Sequence, residues 1–491
     1  MISERMFLST SFILLAGFLS TAGASAPLSP AQMQADFDLM RHALEEGHPG
    51  LNRYIPKPEM NRAFEAQRAK LTRPMTRPQF EAVVAQTLAT MRCGHTKMNA
   101  DEEVETAIKN ARTFPLRVLT EGRRLAVVLN ETPDNQTLRP GMEIVEINGQ
   151  KAPDLIDRLW PFISGDGDIE TGRLHDIAGR FAQLYWWLVE QRDNFIVKAR
   201  DASGNTVVAT LAGVTDAERR TSRNPVNETM KANIGRLMAW SPDDFALRFF
   251  NDSEVAEIRL RHFAGDTYRQ WIEDTFNTLH EKGTKTLIID LRGNGGGDDM
   301  YGAMLVSCLT DKPFRYFDRI ELKTVDPSFK AHCDWPASAE ARLREGTTPE
   351  LSGGYRVTAN LHPGVAEQNP GKHPFLGKVF VLTDGGTFST AADFCAIVRH
   401  LNRATFIGKE TGGAYCGNNS GFMPTLTLPN SQVGIRLPMY EYWNAVGASG
   451  ENRRGTRPDH VIELKTADVL RGVDAQLDCA LKLARATTLS Q

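Results

Sequence analysis

The sequence predicts an α/β protein built from several packed units, and three patterns along its 491 residues point there. Beyond residue 28 the apolar residues recur at helical spacing. Residues 114–212 read as short strands joined by tight turns. From Phe245 onward strands alternate with helices, the order expected of a parallel sheet with helices packed on it. With 41% hydrophobic residues, a chain of this length can bury more than one core.

Taken in order, the first segment reads as a targeting signal. Arg5 precedes the apolar run MFLSTSFILLAGFL, and TAGASA follows with Ala22-Gly23-Ala24 as a small-residue cleavage site. The run is shorter than the roughly 20 residues that span a bilayer. The expectation is a signal peptide over 1–24, an exported protein, periplasmic or extracellular, and no membrane span in the mature chain. Residues 25–110 form a helical region. A helix opens at Ser29-Pro30 and stops at His48-Pro49-Gly50, and a second covers about Arg77 to Met91.

Residues 113–215 form a β-rich unit with a helical insert. FPLRVLTEGRRLAVVLN gives two strands around a Glu-Gly turn, and EIVEINGQKAPDLIDRLW gives a strand, an Asn-Gly turn and a helix. Gly172 to Glu190 is helical, and NFIVKARDASGNTVVATL is a hairpin. Residues 216–244 are polar and read as a connector. Residues 245–486 carry the alternating pattern: strand EVAEIRL, helix DTYRQWIEDTFNTLHEKG, strand TLIIDL, a helix from near Met300, an irregular stretch over 326–374, strand KVFVLTD, helix FSTAADFCAIVRHL and strand ATFIGKE. The hairpin TLTLPNSQVGIRLP and a C-terminal amphipathic helix close the chain.

A net charge of −3 gives no basic footprint for nucleic acid. The six cysteines allow several pairings, among which sequence does not choose. Cys93-x-His95 and His332-Cys333 lack the spacing of a zinc site, so neither metal nor organic cofactor is expected.

The chemistry concentrates at two glycine-rich turns. After the apolar strand of TLIIDLRGNGGGDDM come Gly293, Gly295, Gly296 and Gly297. The spacing fits neither a dinucleotide fingerprint nor a P-loop, and Asp298 and Asp299 would repel a phosphate. Backbone amides offered to a developing oxyanion remain. In DGGTFSTAADF, Ser389 stands in a turn that opens a helix, where exposed N–H groups and the helix dipole favour negative charge. Taken alone, a serine before an apolar run is more commonly just an N-cap. A nucleophile needs a base, for which His95 in CGHT and Lys409 in FIGKE are the candidates. Glu451, in GENRRG, could orient a histidine or pair with Arg453 or Arg454.

In HPGLNRY, CGHT, LIIDLRGNGGGD, VFVLTDGGTFSTAADF, ATFIGKETGG and ENRRGTRPD, taken in this order, the chain resembles the tail-specific (C-terminal processing) serine proteases. The resemblance implies a crotonase-like ααβ protease core, a PDZ-like domain over LRPGMEIVEING, and an N-terminal helical region. It implies a serine endopeptidase acting on peptides or unfolded proteins. Ser389 matches the family nucleophile. The branch that uses a lysine base carries it about 25 residues after the serine, where this chain has Ala414. The branch resembling the tricorn core uses Ser, His and Glu, which map to Ser389, His95 and Glu451. The implied oxyanion donors are the amides of Thr390 and Gly296, with Gly295 next. Cys93 and Ala392 depart from the family pattern, each standing where relatives carry an acid. The resemblance extends to retinoid carriers, so a non-catalytic ligand- or peptide-binding protein is the alternative.

Overall fold

A computed structural model of the chain describes residues 26–99, 102–237, 245–351, 353–447 and 452–488. The expected signal segment, 1–24, lies outside these residues, as does Glu451.

At the centre is a six-stranded sheet in the spatial order His460–Val461, Thr405–Gly408, Lys378–Thr383, Thr286–Asp290, Val255–Leu260, Phe245–Phe250. All neighbours run parallel except the last pair. Every residue of Thr286–Asp290 is buried, as its unbroken apolar run predicts. The strand's period of two divides its side chains between the two faces. Leu287 and Ile289 join the largest core, and Ile288 joins Phe380, Leu382 and Ile407 under Leu477 and Ala480 of the helix Ala475–Thr488. Because Thr286–Asp290 and Lys378–Thr383 are adjacent and parallel, the loops that follow both emerge at one edge of the sheet, where ligands of open α/β sheets bind.

The N-terminal helices share the large core. Pro30–Gly47 starts on a capping box between Ser29 and Gln32, and Arg77–Thr90 starts on one between Thr76 and Gln79. Phe37, Phe64 and Phe80 pack in the same cluster as Leu287 and Phe394. Between these two helices, within the expected helical region, lies a helix at Lys57–Arg68, whose buried face is marked by Met60 and Phe64.

The β-rich unit has a core of its own. Its strands lie in the order Leu116–Glu121, Arg124–Asn130, Glu143–Ile147, Asn194–Arg200, Thr206–Ala212, all antiparallel. Helices Ala152–Leu159, Glu170–Gly179 and Phe181–Leu188 accompany this sheet. Their residues Leu155, Ile177 and Tyr185 share its core with Val127 and Val197. The Asn-Gly turn has both residues at positive φ, Asn148 at 49° and Gly149 at 79°.

Several segments are more regular than expected. The connector holds helices Asp216–Thr221 and Glu228–Leu237. The stretch 326–374 contributes Thr347–Pro349 and Tyr355–Val357 to a second sheet with Phe317–Leu322, Tyr440–Asn444 and Asn419–Ser420. The C-terminal helix is two, Thr466–Leu470 and Ala475–Thr488, parted at Gly472, whose φ is 74°.

A buried ion network fixes where the glycine loop leaves the sheet. Arg292 Nη2 lies 2.7 Å from Asp290 Oδ2 and 2.8 Å from Asp474 Oδ2, and Arg259 Nη2 lies 2.7 Å from Asp290 Oδ2. Burial alone would raise the Asp290 carboxyl, but Arg292 and Arg259 hold it well below the usual carboxylate range. Arg292→Ala leaves buried Asp474 without its arginine and Asp290 with Arg259 alone. It is expected to cost about 3–5 kcal/mol in urea unfolding.

Candidate active site

The two glycine-rich turns are stitched together by side chains and backbone. Asp384 Oδ1 accepts the amides of Gly386 and Gly293, both at 2.8 Å. Thr387 Oγ1 donates to the Leu291 carbonyl at 2.9 Å, and the Phe388 amide donates to the Asn294 carbonyl at 2.9 Å. The turn delivers Ser389 with φ 54° and ψ −132°, a conformation a serine holds only when its surroundings impose it. Helix Thr390–His400 begins at the next residue. The Ser389 side chain makes no capping hydrogen bond, so its hydroxyl is not spent as a helix cap.

That hydroxyl meets His95. Nε2 of His95 lies 3.0 Å from Ser389 Oγ, joining residues 294 positions apart. The imidazole lies on the Phe388 ring with centroids 4.5 Å apart, and His95 is only 5% exposed. Burial, with the positive charges of Arg436 and Lys97 and the His48 ring, lowers its pKa to about 3. The ring is therefore neutral at neutral pH. If Nε2 accepts the serine proton, Nδ1 carries the hydrogen. Nδ1 is buried and has no hydrogen-bond partner among the described residues.

Of the two arginines that could have claimed Glu451, Arg453 Nε pairs with Asp168 Oδ2 at 2.6 Å and Arg454 with Glu410 at 2.5 Å. Lys409 is paired with Glu463 at 2.6 Å and makes no hydrogen bond to Ser389.

One of the expected amide donors has a partner within its own loop. The Gly296 N–H donates to Asn294 Oδ1 at 2.9 Å. The pattern is an asparagine bonding the backbone two residues on, which N-G-G in the sequence could have signalled. Gly296 also matters through its lack of a side chain. Its φ is 100°, and a Cβ there would stand 2.6 Å from Ser389 Cβ. Among the described residues no acceptor receives the amides of Gly295 and Thr390. Thr390 Oγ1 lies 2.8 Å from the Gly297 carbonyl oxygen and 3.0 Å from Asp299 Oδ1, which anchors the helix start to the glycine loop.

Sequence reasoning missed several buried polar residues around the pair. Asp393, one turn after Ser389, accepts from Nδ2 of Asn418 and of Asn444, each at 2.9 Å. Asp166, 1% exposed, accepts the Gly94 amide at 2.7 Å. Asp166 lies in no recognisable motif, Asp393 lies in TAADF without a role that the motif signals, and their partners are remote in sequence. Cys93 is buried, and burial with the charge of Asp166 pushes its thiol up to about 11, so it is no thiolate at neutral pH. None of the six cysteines forms a disulfide.

His48 bonds Thr96 Oγ1 through Nε2 at 2.8 Å, and burial followed by the charge of Lys323 lowers its pKa to about 3. Its ordinary value is near 6.5, so below that pH the unfolded chain takes a proton that the native chain refuses. Its stabilising contribution is present above pH 6.5 and is lost as pH falls towards 3. Thermal unfolding between pH 6.5 and 5 is expected to show Tm falling with pH, with a shallower slope in His48→Gln.

Comparison with known proteins places these residues in context. Residues 254–462 match the family model "Peptidase family S41". A curated protein of Chlamydia muridarum, described as uncharacterized, is 29% identical over 191 residues, which cover 32% of this chain and 31% of that protein. A protein of Chlamydia pneumoniae is 29% identical over 188 residues, covering 32% of this chain and 29% of its own length. The chain thus spans less than a third of the length of the curated relatives it matches. Among solved structures, mature CPAF complexed with lactacystin aligns with TM-score 0.64 at 16% identity, covering 94% of this chain and 98% of that one. Mature CPAF alone aligns with TM-score 0.63 at 16% identity, covering 93% and 96%. At such identity the likeness is one of fold.

Proposed function

We propose that the chain is a serine endopeptidase of the tail-specific kind, acting on peptides or unfolded protein chains; the match of residues 254–462 to the model of peptidase family S41 supports this reading. The observation that carries the proposal is the 3.0 Å contact between Ser389 Oγ and His95 Nε2, made across an otherwise unused, strained serine. In this reading Ser389 attacks the scissile carbonyl while neutral His95 takes its proton and then returns it to the leaving amine. The amides of Gly295 and Thr390 receive the oxyanion, helped by the positive end of the helix Thr390–His400. Glu451 supplies the acceptor for His95 Nδ1, fixing the tautomer and stabilising the imidazolium. A buried Nδ1–H left without an acceptor would cost about 1–3 kcal/mol, so that position calls for one.

The proposal extends to organisation and location. Residues 113–215, an antiparallel sheet closed by helices, act as a PDZ-like module beside the catalytic domain, residues 245–486. The segment 1–24 exports the protein to the periplasm or beyond. Among the described residues no helix is long and apolar enough to cross a membrane.

Casein, an unstructured protein, is the direct test. Wild type is expected to cleave it, and Lys409→Ala to cleave at close to the wild-type rate, since Lys409 is tied to Glu463. A folded Lys409→Ala protein without activity would replace His95 by lysine as the base. Absence of cleavage by wild type, with no labelling by a serine-directed probe, would favour the non-catalytic binding reading.

A further inference from the structure

The β-rich unit reaches into the site through one short segment, Ser164–Asp168, between Trp160–Phe162 and the helix Glu170–Gly179. This segment holds every second residue of the loop that carries His95. Gly167 donates its amide to the Arg92 carbonyl at 3.0 Å. Asp166 Oδ1 accepts the Gly94 amide at 2.7 Å. Ser164 Oγ donates to the Thr96 carbonyl at 2.9 Å. The loop needs such support, because Arg92 sits at φ 58° and the helix before it ends at Thr90.

The second carboxylate oxygen of Asp166 points the other way. Oδ2 lies 3.4 Å from the amide of Ala414. Its neighbour Gly413 packs on the nucleophile, where a Cβ would come within 3.2 Å of the Ser389 amide nitrogen. One buried carboxylate thus touches the backbone beside the base and the backbone beside the nucleophile. Asp168 extends the strap. Its amide donates to the Arg453 carbonyl at 2.8 Å, and its side chain pairs with Arg92 and Arg453, two residues past Glu451.

We propose that Asp166 is a positioning residue, which sets the distance between Ser389 and His95 by clamping the Gly94 and Ala414 loops. Through it, catalysis depends on the β-rich unit. The role rests on the Ser389–His95 reading and refines it. Burying a carboxylate is costly, and hydrogen bonds alone rarely repay it. Arg53 and Arg173 act on Asp166 only through longer-range attraction. A geometric task at the site accounts for its place there.

The test is single-turnover acylation of Ser389 by a fluorophosphonate probe, reading rate and final labelled fraction separately. Asp166→Asn keeps an oxygen for Gly94 but sets an NH2 group against the Ala414 amide. The expected result is complete labelling at a rate lower by about 10- to 100-fold, the scale of a small misplacement of reacting groups. Should Asp166→Asn fail to fold, Ser164→Ala, which frees the Thr96 carbonyl, is read in the same way with a smaller drop. A wild-type rate in the folded variants overturns the proposal. A reduced labelled fraction at wild-type rate also overturns it, since that marks lost stability alone. His95→Ala is run alongside. If it acylates at the wild-type rate the dyad itself is wrong, and the positioning role falls with it; if it is slow while Asp166→Asn is fast, only the positioning role falls.

Discussion

Ser389→Ala is expected to abolish casein cleavage in a protein that unfolds at the wild-type temperature. The change removes one oxygen that caps no helix and whose hydrogen bond in this structure is to His95. Alanine and serine bear the same Cβ, so the strained backbone at φ 54° is neither relieved nor worsened. The loss in kcat should be on the order of 10⁶-fold, the scale seen when another serine peptidase loses its nucleophile or its histidine. His95→Ala should fall to a similar floor, and the double variant no lower, because the two groups act as a unit. The floor would belong to the amides of Gly295 and Thr390 and to substrate binding. Independent, additive losses would contradict a shared proton transfer.

Gly296→Ala is expected to reduce kcat/KM by about 100-fold or more, although its amide is not a donor to substrate in this account. The new methyl group would lie 2.6 Å from Ser389 Cβ, 2.9 Å from the Phe388 carbonyl oxygen and 2.9 Å from the Thr390 nitrogen. No flexible side-chain tip is available to yield, so backbone of the nucleophile turn must shift. The φ of 100° adds strain for any residue with a side chain. Gly295→Ala is the contrast. It has no atom within 4 Å of a new Cβ and its φ is not in the left-handed region. Its loss should be much smaller, measured on the same substrate. Equal losses at the two positions would remove the packing argument.

Much of this was legible where the signal is local. The strand Thr286–Asp290 followed from its apolar run, and the helix after Ser389 from its spacing and turn. The pairing of Ser389 with His95 was not contained in any local pattern. It came from the family resemblance, and the 294 residues between them show why spacing could not give it. The four glycines of the loop look alike in sequence, yet they differ in the structure, where Asn294 takes the amide of Gly296. Asp166 was invisible because a lone aspartate in a loop looks solvated, whereas this one is buried among remote backbone amides. The strands Phe317–Leu322 and Tyr440–Asn444 were missed for a related reason. Charged residues interrupt them, and cross-strand partners far along the chain decide their register.

A nucleophilic Ser389 activated by His95 should react with a serine-directed probe. The most direct measurement is the mass of the intact protein after reaction with a fluorophosphonate at neutral pH, followed by peptide mapping. One adduct is expected, on the peptide containing Ser389, formed slowly or not at all in His95→Ala. An adduct on another residue, or labelling of Ser389 at an unchanged rate without His95, would contradict it.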